Sequence, residues 1–486
     1  MTLRLLTVVS IAAATASLLA GPARSAGPAM TLGVAEDAVR APDLPTAEAK
    51  MAQLRLAGFT AVRITTNWAP GLVAPTADEL RELRNVETAA DLNGVEVYVS
   101  VYNVGQRTTP LDPTAQSEFA QYTASVARLL PSFDQIIVGN EPNLNRFWLP
   151  QFAPDGSNAS APAYLSLLAQ TYDAVKAVDP TVTIWGGALA PRGSDRPGGI
   201  RPTSSPTAFI QAMGAAYRAS GRTLPVMDGL AIHPYPDNSS QSPDFPHPRS
   251  TSIGLADYGK LVGLLAQAFD GTAQPGSSLP ILYDEFGIES AVPKGKRSLY
   301  SGNEPTTTKP VDERKQAAAY DLGLRLSFCQ PTVEGMLLFH SQDETALLSW
   351  QSGVYYADGT PKSSFWAVRD ALARTRGGSI SKCEGMALEV SPLGVRFPSP
   401  RAFQRGTHSV RFRCSLDCAW TLEALRATTG AVAARVNGYG RTDTPLVASF
   451  GKAKLGATPV RLRLTLVHPV NPGTPESVTS GILRPA

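Results

Sequence analysis

The stretch Ile136-Ile137-Val138-Gly139-Asn140-Glu141-Pro142-Asn143-Leu144 opens as a run of branched apolar residues and stops abruptly in an amide, a carboxylate and a proline. The run is too short for a helix core and rich in β-branched side chains, so it reads as a buried strand, with Pro142 closing the ladder because it has no N–H to donate. Glu141 is therefore expected at the C-terminal end of a strand. A second segment, Leu279-Pro280-Ile281-Leu282-Tyr283-Asp284-Glu285-Phe286-Gly287, has the same form. Side-chain alternation points Asp284 and Glu285 to opposite sides of that strand, and the following Phe-Gly favours Glu285 as its last inward residue.

Outward from these two segments the chain alternates. Strand-like runs end at or near Val34, Arg63, Tyr102, Glu141, Gly187, His233, Glu285 and Phe339. Helix-like stretches lie between them at 46–56, 77–92, 114–130, 163–178, 206–219, 252–268 and 311–327, and one more follows at 363–373. Tyr164, Leu167, Leu168, Tyr172 and Val175 have the three- and four-residue spacing of a helix stripe laid on a sheet. Eight strand–helix units predict an α/β fold, a parallel (β/α)8 TIM barrel. The strands carry no dinucleotide glycine fingerprint, P-loop or nucleophile-elbow serine at their ends. Two glutamates on one barrel rim, 144 positions apart (285 minus 141), match what glycosidic bond cleavage requires: one acid to protonate the leaving oxygen and one carboxylate to attack.

The loops after the strands carry much of the aromatic inventory: Trp68, Tyr102, Trp148, Tyr235, Trp350, Tyr355 and Tyr356. Sugars present flat C–H faces that pack on aromatic rings, so these are expected as platforms of a carbohydrate cleft. Loops at 192–206, 234–248 and 293–310 are rich in Ser, Gly and Pro and elaborate the same rim.

Among the 486 residues, 43% are hydrophobic and 17% charged, and the net charge is only +3 without any Lys/Arg block, which removes the electrostatic case for a nucleic-acid partner. Residues 1–25 combine Arg4, an apolar stretch from Leu5 to Ala20 and Ala23-Arg24-Ser25, the layout of a secretory signal peptide. The apolar stretch falls short of the roughly 20 residues that cross a bilayer. The expectation is a secreted protein with no membrane contact after cleavage, with residues 26–376 as the barrel. Beyond Gly377-Gly378 the alternation gives way to short β-type runs, and 377–486 is expected as an immunoglobulin-like β-sandwich. Val460, Leu462, Leu464 and Leu466 alternate with Arg461, Arg463 and Thr465 as in a strand with one buried face. Export makes disulfides reasonable, and Cys414 pairs most naturally with Cys418, leaving Cys329 with Cys383. No Cys/His grouping suits zinc, and neither a metal nor a cofactor is expected.

Asn140-Glu141-Pro142-Asn143-Leu144, with Phe147-Trp148 soon after, resembles the acid/base motif of the clan A retaining glycoside hydrolases, family 39 especially and family 5 more distantly. That resemblance implies Glu141 as acid/base at the fourth strand and Glu285 as nucleophile at the seventh. It implies that Asn140 bonds a sugar hydroxyl, that Arg63 in Val62-Arg63-Ile64 keeps the nucleophile ionised, and that His233 and Tyr235 line the floor and orient it. The chain departs from the family pattern at Gly139, where Trp is common, and at Asp284, where Thr or Ser is usual. Its eighth strand ends Leu338-Phe339-His340-Ser341 without the usual tryptophan, so His340 or Trp350 takes that place. The resemblance implies action on carbohydrate by double displacement, and a monomer is expected. Transglycosylation by the same residues and non-catalytic sugar binding are the alternatives.

Overall fold

The computed structural model describes residues 27–378, 380, 395–413, 418–440, 445–451, 455, 458–468 and 471–484. Eight parallel strands close into a barrel: β1 (Thr31–Ala35), β2 (Ala61–Trp68), β3 (Glu96–Asn103), β4 (Gln135–Val138), β5 (Thr183–Leu189), β6 (Gly229–Ile232), β7 (Ile281–Phe286) and β8 (Val333–Phe339). Between and after them run α1 (Leu44–Ala57), α2 (Ala77–Asn93), α3 (Pro113–Leu129), α4 (Ser160–Val178), α5 (Pro206–Ser220), α6 (Tyr258–Phe269), α7 (Glu313–Phe328) and α8 (Phe365–Arg376). The barrel read from the sequence is the barrel observed. Its helices begin where side chains satisfy the free amides of the first turn: Asp43, Thr76, Asp112, Ser205 and Asp312 each accept from a backbone N–H of the helix they open. No described helix is long and apolar enough to cross a membrane.

Strand alternation sorts the side chains into two cores. Along β2, Val62, Ile64 and Trp68 face the helix layer, and Ala61 faces the barrel interior. The interior is closed below the rim by Ala61, Tyr98, Ile137, Trp185, Ala188, Ala231, Leu282 and Leu337. Trp185 fills much of that plug, and its indole N–H donates to Gln135 Oε1 at 2.9 Å. Gly229 makes room for it, since a Cβ there would meet the Trp185 ring at 2.3 Å.

Three irregularities at the rim depart from the expected strand ends. β2 runs past Arg63 to Trp68. β4 ends at Val138, before Pro142 can act, because Gly139 (φ +89°) and Glu141 (φ +43°) both turn left-handed. The ring of Tyr164, 3.0 Å from where a Gly139 Cβ would stand, leaves no space for the tryptophan of the family pattern. On β7, Tyr283 pairs with Met336 and Phe286 with Leu338, so three steps on one strand face two on the other. That extra residue is a β-bulge.

The C-terminal part has its own core around Phe403, Val410, Phe412, Leu422, Leu462 and Leu464. After a short helix α9 (Pro400–Gln404) it contains β9 (Ser409–Phe412), β10 (Cys418–Arg426), β11 (Val432–Gly440), β12 (Leu446–Ser449), β13 (Val460–His468) and β14 (Asn471–Thr479). These form a four-stranded antiparallel sheet, β11-β10-β13-β14, and a two-stranded one, β12-β9. Leu462, Leu464 and Leu466 are buried along β13, as the alternation predicts, and Trp420 packs edge-on against Phe412. Glu423 on β10 is clamped by Arg435 and Arg463 from the two neighbouring strands. The expected signal peptide lies outside the described residues, as do Cys383 and Cys414, and with them both expected disulfide pairings.

Because the barrel plug leaves no room at Gly229, Gly229→Ala should cost about 1–3 kcal/mol of stability, read as a lower Tm by calorimetry. An unchanged Tm would mean that Trp185 does not fill the interior as described.

Candidate active site

A cleft of about 680 Å³ opens over the C-terminal ends of the barrel strands. At its base lies a buried charged cluster supplied by four strands. Arg63 on β2 is 4% exposed and donates through Nη1 to Glu285 Oε1. Its Nη2 donates to Asn140 Oδ1 at 2.7 Å and Ser100 Oγ at 3.2 Å, and its Nε lies 3.5 Å from Asp284 Oδ2. The Tyr235 hydroxyl donates to Glu285 Oε2 at 3.0 Å. His233, fully buried after β6, places Nε2 3.2 Å from Asp284 Oδ2 and Nδ1 3.0 Å from Glu141 Oε1 and 3.4 Å from Glu285 Oε2.

The β7 bulge corrects the expected geometry of the two acids. In a regular strand Asp284 and Glu285 would point apart, but with one residue extra both converge on Arg63 and His233. Asp284 is no bystander to Glu285. A second extra residue, on β5 between Gly187 and Leu189, carries Ala188 at φ +44°. The Ala188 carbonyl accepts from the Glu141 amide at 2.8 Å and so fixes where the Glu141 side chain starts.

Burial alone would depress the His233 imidazole, but the charges of Glu285 and Asp284 and the hydrogen bonds to Asp284 and Glu141 outweigh it and push it up to about 10. It is a cation at neutral pH, donating from both ring nitrogens. Burial would raise Asp284, yet His233 and Arg63 hold it below the ordinary aspartate value. Burial, followed by the charge of Glu285, pushes the Tyr235 phenol far up, so it remains a donor.

Of the residues expected to meet substrate, Arg63, Tyr102, Asn140, Glu141, Tyr235, Glu285, His340 and Trp350 line the cleft. Trp350 stacks on Tyr235 with ring centres 5.0 Å apart, beside Phe339 and His340 at the end of β8. Four expectations are corrected. Trp68 is fully buried, because β2 extends to it and alternation turns it onto Phe119 of α3, 5.7 Å away. Trp148 is 2% exposed and packs on Tyr164, while its neighbour Phe147 takes the cleft wall, edge-on to Tyr102 at 6.2 Å. His233 lies beneath the cleft lining and positions carboxyl groups instead of touching what the cleft holds. Tyr355 also belongs to the helix-layer core. Sequence reasoning passed over Arg192, Asp237 and Glu289, which line the cleft from loops whose course no periodicity reports. Among the described residues no group of three His, Cys, Asp or Glu side chains is arranged to hold a metal ion.

No family model matches this chain. No curated protein matches it either. Among solved structures it is similar to a Bacteroides uniformis β-glucuronidase (12% identity, 93% of this chain and 46% of that one, TM-score 0.44). It is also similar to a GH5_18 protein from Streptomyces cattleya in complex with GlcNAc (17% identity, 71% and 80% covered, TM-score 0.47) and to a monomeric β-xylosidase from Caulobacter crescentus (14% identity, 88% and 95% covered, TM-score 0.45). The chain spans about half the length of the β-glucuronidase. These are distant likenesses, and membership of family 39 is not shown.

The raised His233 makes a prediction about stability. With a folded value of about 10 against an ordinary 6.5, its contribution is present in full below about pH 6.5 and is lost as pH rises towards 10. His233→Gln, which keeps hydrogen-bonding capacity without the charge, should lower unfolding free energy at pH 6 by roughly 3–5 kcal/mol, as expected when a buried pair is broken. It should also flatten the decline between pH 6.5 and 10 in denaturant titrations. Parallel pH slopes for the two proteins would refute a cationic His233.

Proposed function

We propose that the protein is a secreted glycoside hydrolase acting by double displacement, with Glu285 as nucleophile and Glu141 as acid and then base. The observation that carries this reading is the shared contact of the two carboxyl groups with His233 Nδ1. The facing oxygens, 3.0 and 3.4 Å from one nitrogen, are at most the sum of those distances, about 6.4 Å, apart, a contact that supports the closer of the two carboxyl spacings used by glycosidases. Retaining glycosidases hold their carboxyl groups about 5–5.5 Å apart and inverting ones about 6.5–9.5 Å apart, to admit a water.

The charges support the same division of roles. Arg63 and His233 are two cations facing three carboxyl groups, so the cluster balances when one carboxyl carries a proton. Asp284 is held ionised and Glu285 accepts from Arg63 and Tyr235, which leaves Glu141 as the proton carrier. Glu285 attacks the anomeric carbon as Glu141 gives its proton to the departing glycosidic oxygen, forming a glycosyl ester on Glu285. Ionised Glu141 then takes a proton from water, whose oxygen displaces the Glu285 carboxylate and returns both groups to their starting states. Asn140 Oδ1 is occupied by Arg63, so its amide N–H₂ is free to donate to a sugar hydroxyl near the reacting carbon. The stacked pair Tyr235–Trp350 and the ring of Phe147 supply apolar faces for the sugar.

Screening the purified protein against aryl glycosides and plant and bacterial polysaccharides should find a hydrolysed substrate. On it, Glu141→Gln and Glu285→Gln should each lower kcat at least ~100-fold with the fold intact. Proton NMR of the first-formed product should show the anomeric configuration of the substrate. A product of inverted configuration would overturn the double displacement, and near-parental activity of either variant would remove that residue from it.

A further inference from the structure

The cleft is lined by several carboxyl groups that the chemistry above does not use, Glu289 among them. Glu289 stands four residues beyond Glu285 and lines the same cavity while only 8% exposed. Its backbone is fixed on both sides: its amide donates to Ser239 Oγ at 3.0 Å, and its carbonyl accepts from the Val311 amide at 3.0 Å. Its carboxyl group is less occupied. Oε2 accepts a long bond, 3.3 Å, from the Gln351 amide, and no described residue bonds Oε1. The remaining acids of the wall are committed. Glu36 accepts from Ser341 and the Ala38 amide, Asp37 from the Thr65 amide, Asp237 faces Arg192, and Glu344 accepts from the Trp350 amide.

We propose that Glu289 is a specificity-determining residue that contacts, through its carboxyl group, the hydroxyl groups of an uncharged sugar unit seated beside Trp350. A nearly buried carboxyl with one oxygen open to the cleft can exchange water for a ligand hydroxyl there without leaving a polar group unmet. Gln351, which donates to Glu289, directly follows Trp350, so the polar contact and the aromatic face sit on one wall. Burial pushes the Glu289 carboxyl up to about 7, with Glu304 and Asp343 adding to the rise and the Gln351 amide and Lys362 opposing it. In its neutral form it both donates and accepts, as a sugar hydroxyl does. Seating an uncharged sugar excludes more water and favours that neutral form further, so binding takes up a proton and weakens as pH rises above 7. An ammonium-bearing sugar would reverse the sign. The inference rests on the carbohydrate reading above.

The test is binding, read by calorimetry, of cellobiose, xylobiose, mannobiose and the glucosamine disaccharide to the full chain at pH 5.5 and 8.5. At least one uncharged disaccharide should bind roughly tenfold more tightly at pH 5.5, the effect of a one-unit rise in the complex. Glu289→Gln and Glu289→Ala should both abolish that ratio, with Glu289→Ala binding more weakly at both pH values and cooperative melting confirming that each is folded. A pH ratio unchanged in the variants, or tighter binding at pH 8.5 led by the glucosamine disaccharide, would overturn the role of Glu289 while leaving the catalytic pair untouched. Failure of every sugar to bind would overturn the carbohydrate reading and this proposal with it.

Discussion

A buried guanidinium is expensive, and the rim of this barrel is arranged around meeting that cost. Arg63 is almost wholly removed from water, and an uncompensated charge there would cost several kcal/mol. Burial would depress it, but Glu285 and Asp284 outweigh that and hold it firmly charged. Its donors reach beyond its own strand and across the barrel mouth: to Ser100 on β3, Asn140 after β4, and the two acids of β7. No single strand could satisfy it, so the cation ties four strand ends into one surface.

The backbone irregularities acquire their reason from that surface. A regular β7 would deliver one carboxyl to Arg63 and send the other towards the helices. The bulge between Tyr283 and Phe286 delivers both and returns Phe286 to the outer core, where it meets Tyr320 edge-on. Left-handed turns at Gly139 and Glu141, with the carbonyl of Ala188 holding the Glu141 amide, bring a third carboxyl over the top. Unusual backbone conformations of this kind persist only where surrounding contacts over-determine them. Here Tyr164 does much of that, donating to the Val138 carbonyl and accepting from the Gly187 amide, both at 2.6 Å.

The two carboxyl environments of the cleft differ in kind. Asp284 lies against His233 and Arg63, which hold it below the ordinary aspartate value, and Glu285 shares those two cations, whereas burial, with Glu304 and Asp343 nearby, pushes Glu289 up to about 7. Separating carboxyl groups by their surroundings is how one pocket holds both charged and neutral acids at one pH.

Much of this was legible in the residues themselves. Eight β-rich runs separated by amphipathic stretches determined a barrel, because periods of 2 and 3.6 record which faces must leave water whatever the partner. The same patterns located Glu141 and Glu285 at strand ends, and β13 showed its buried face in Leu462, Leu464 and Leu466. Tertiary structure alone decided the rest. Whether Trp68 lined a cleft or a core turned on β2 running five residues past Arg63, and the exchange of roles between Phe147 and Trp148 turned on a loop. Asp284 joined Glu285 only through a bulge defined by pairing with β8, and Glu289 gained its setting from Ser239, Val311 and Gln351, residues 50, 22 and 62 positions away. A local pattern reports the burial of a face; the charge and neighbours of a single side chain depend on distant segments, and those meet only when the barrel closes.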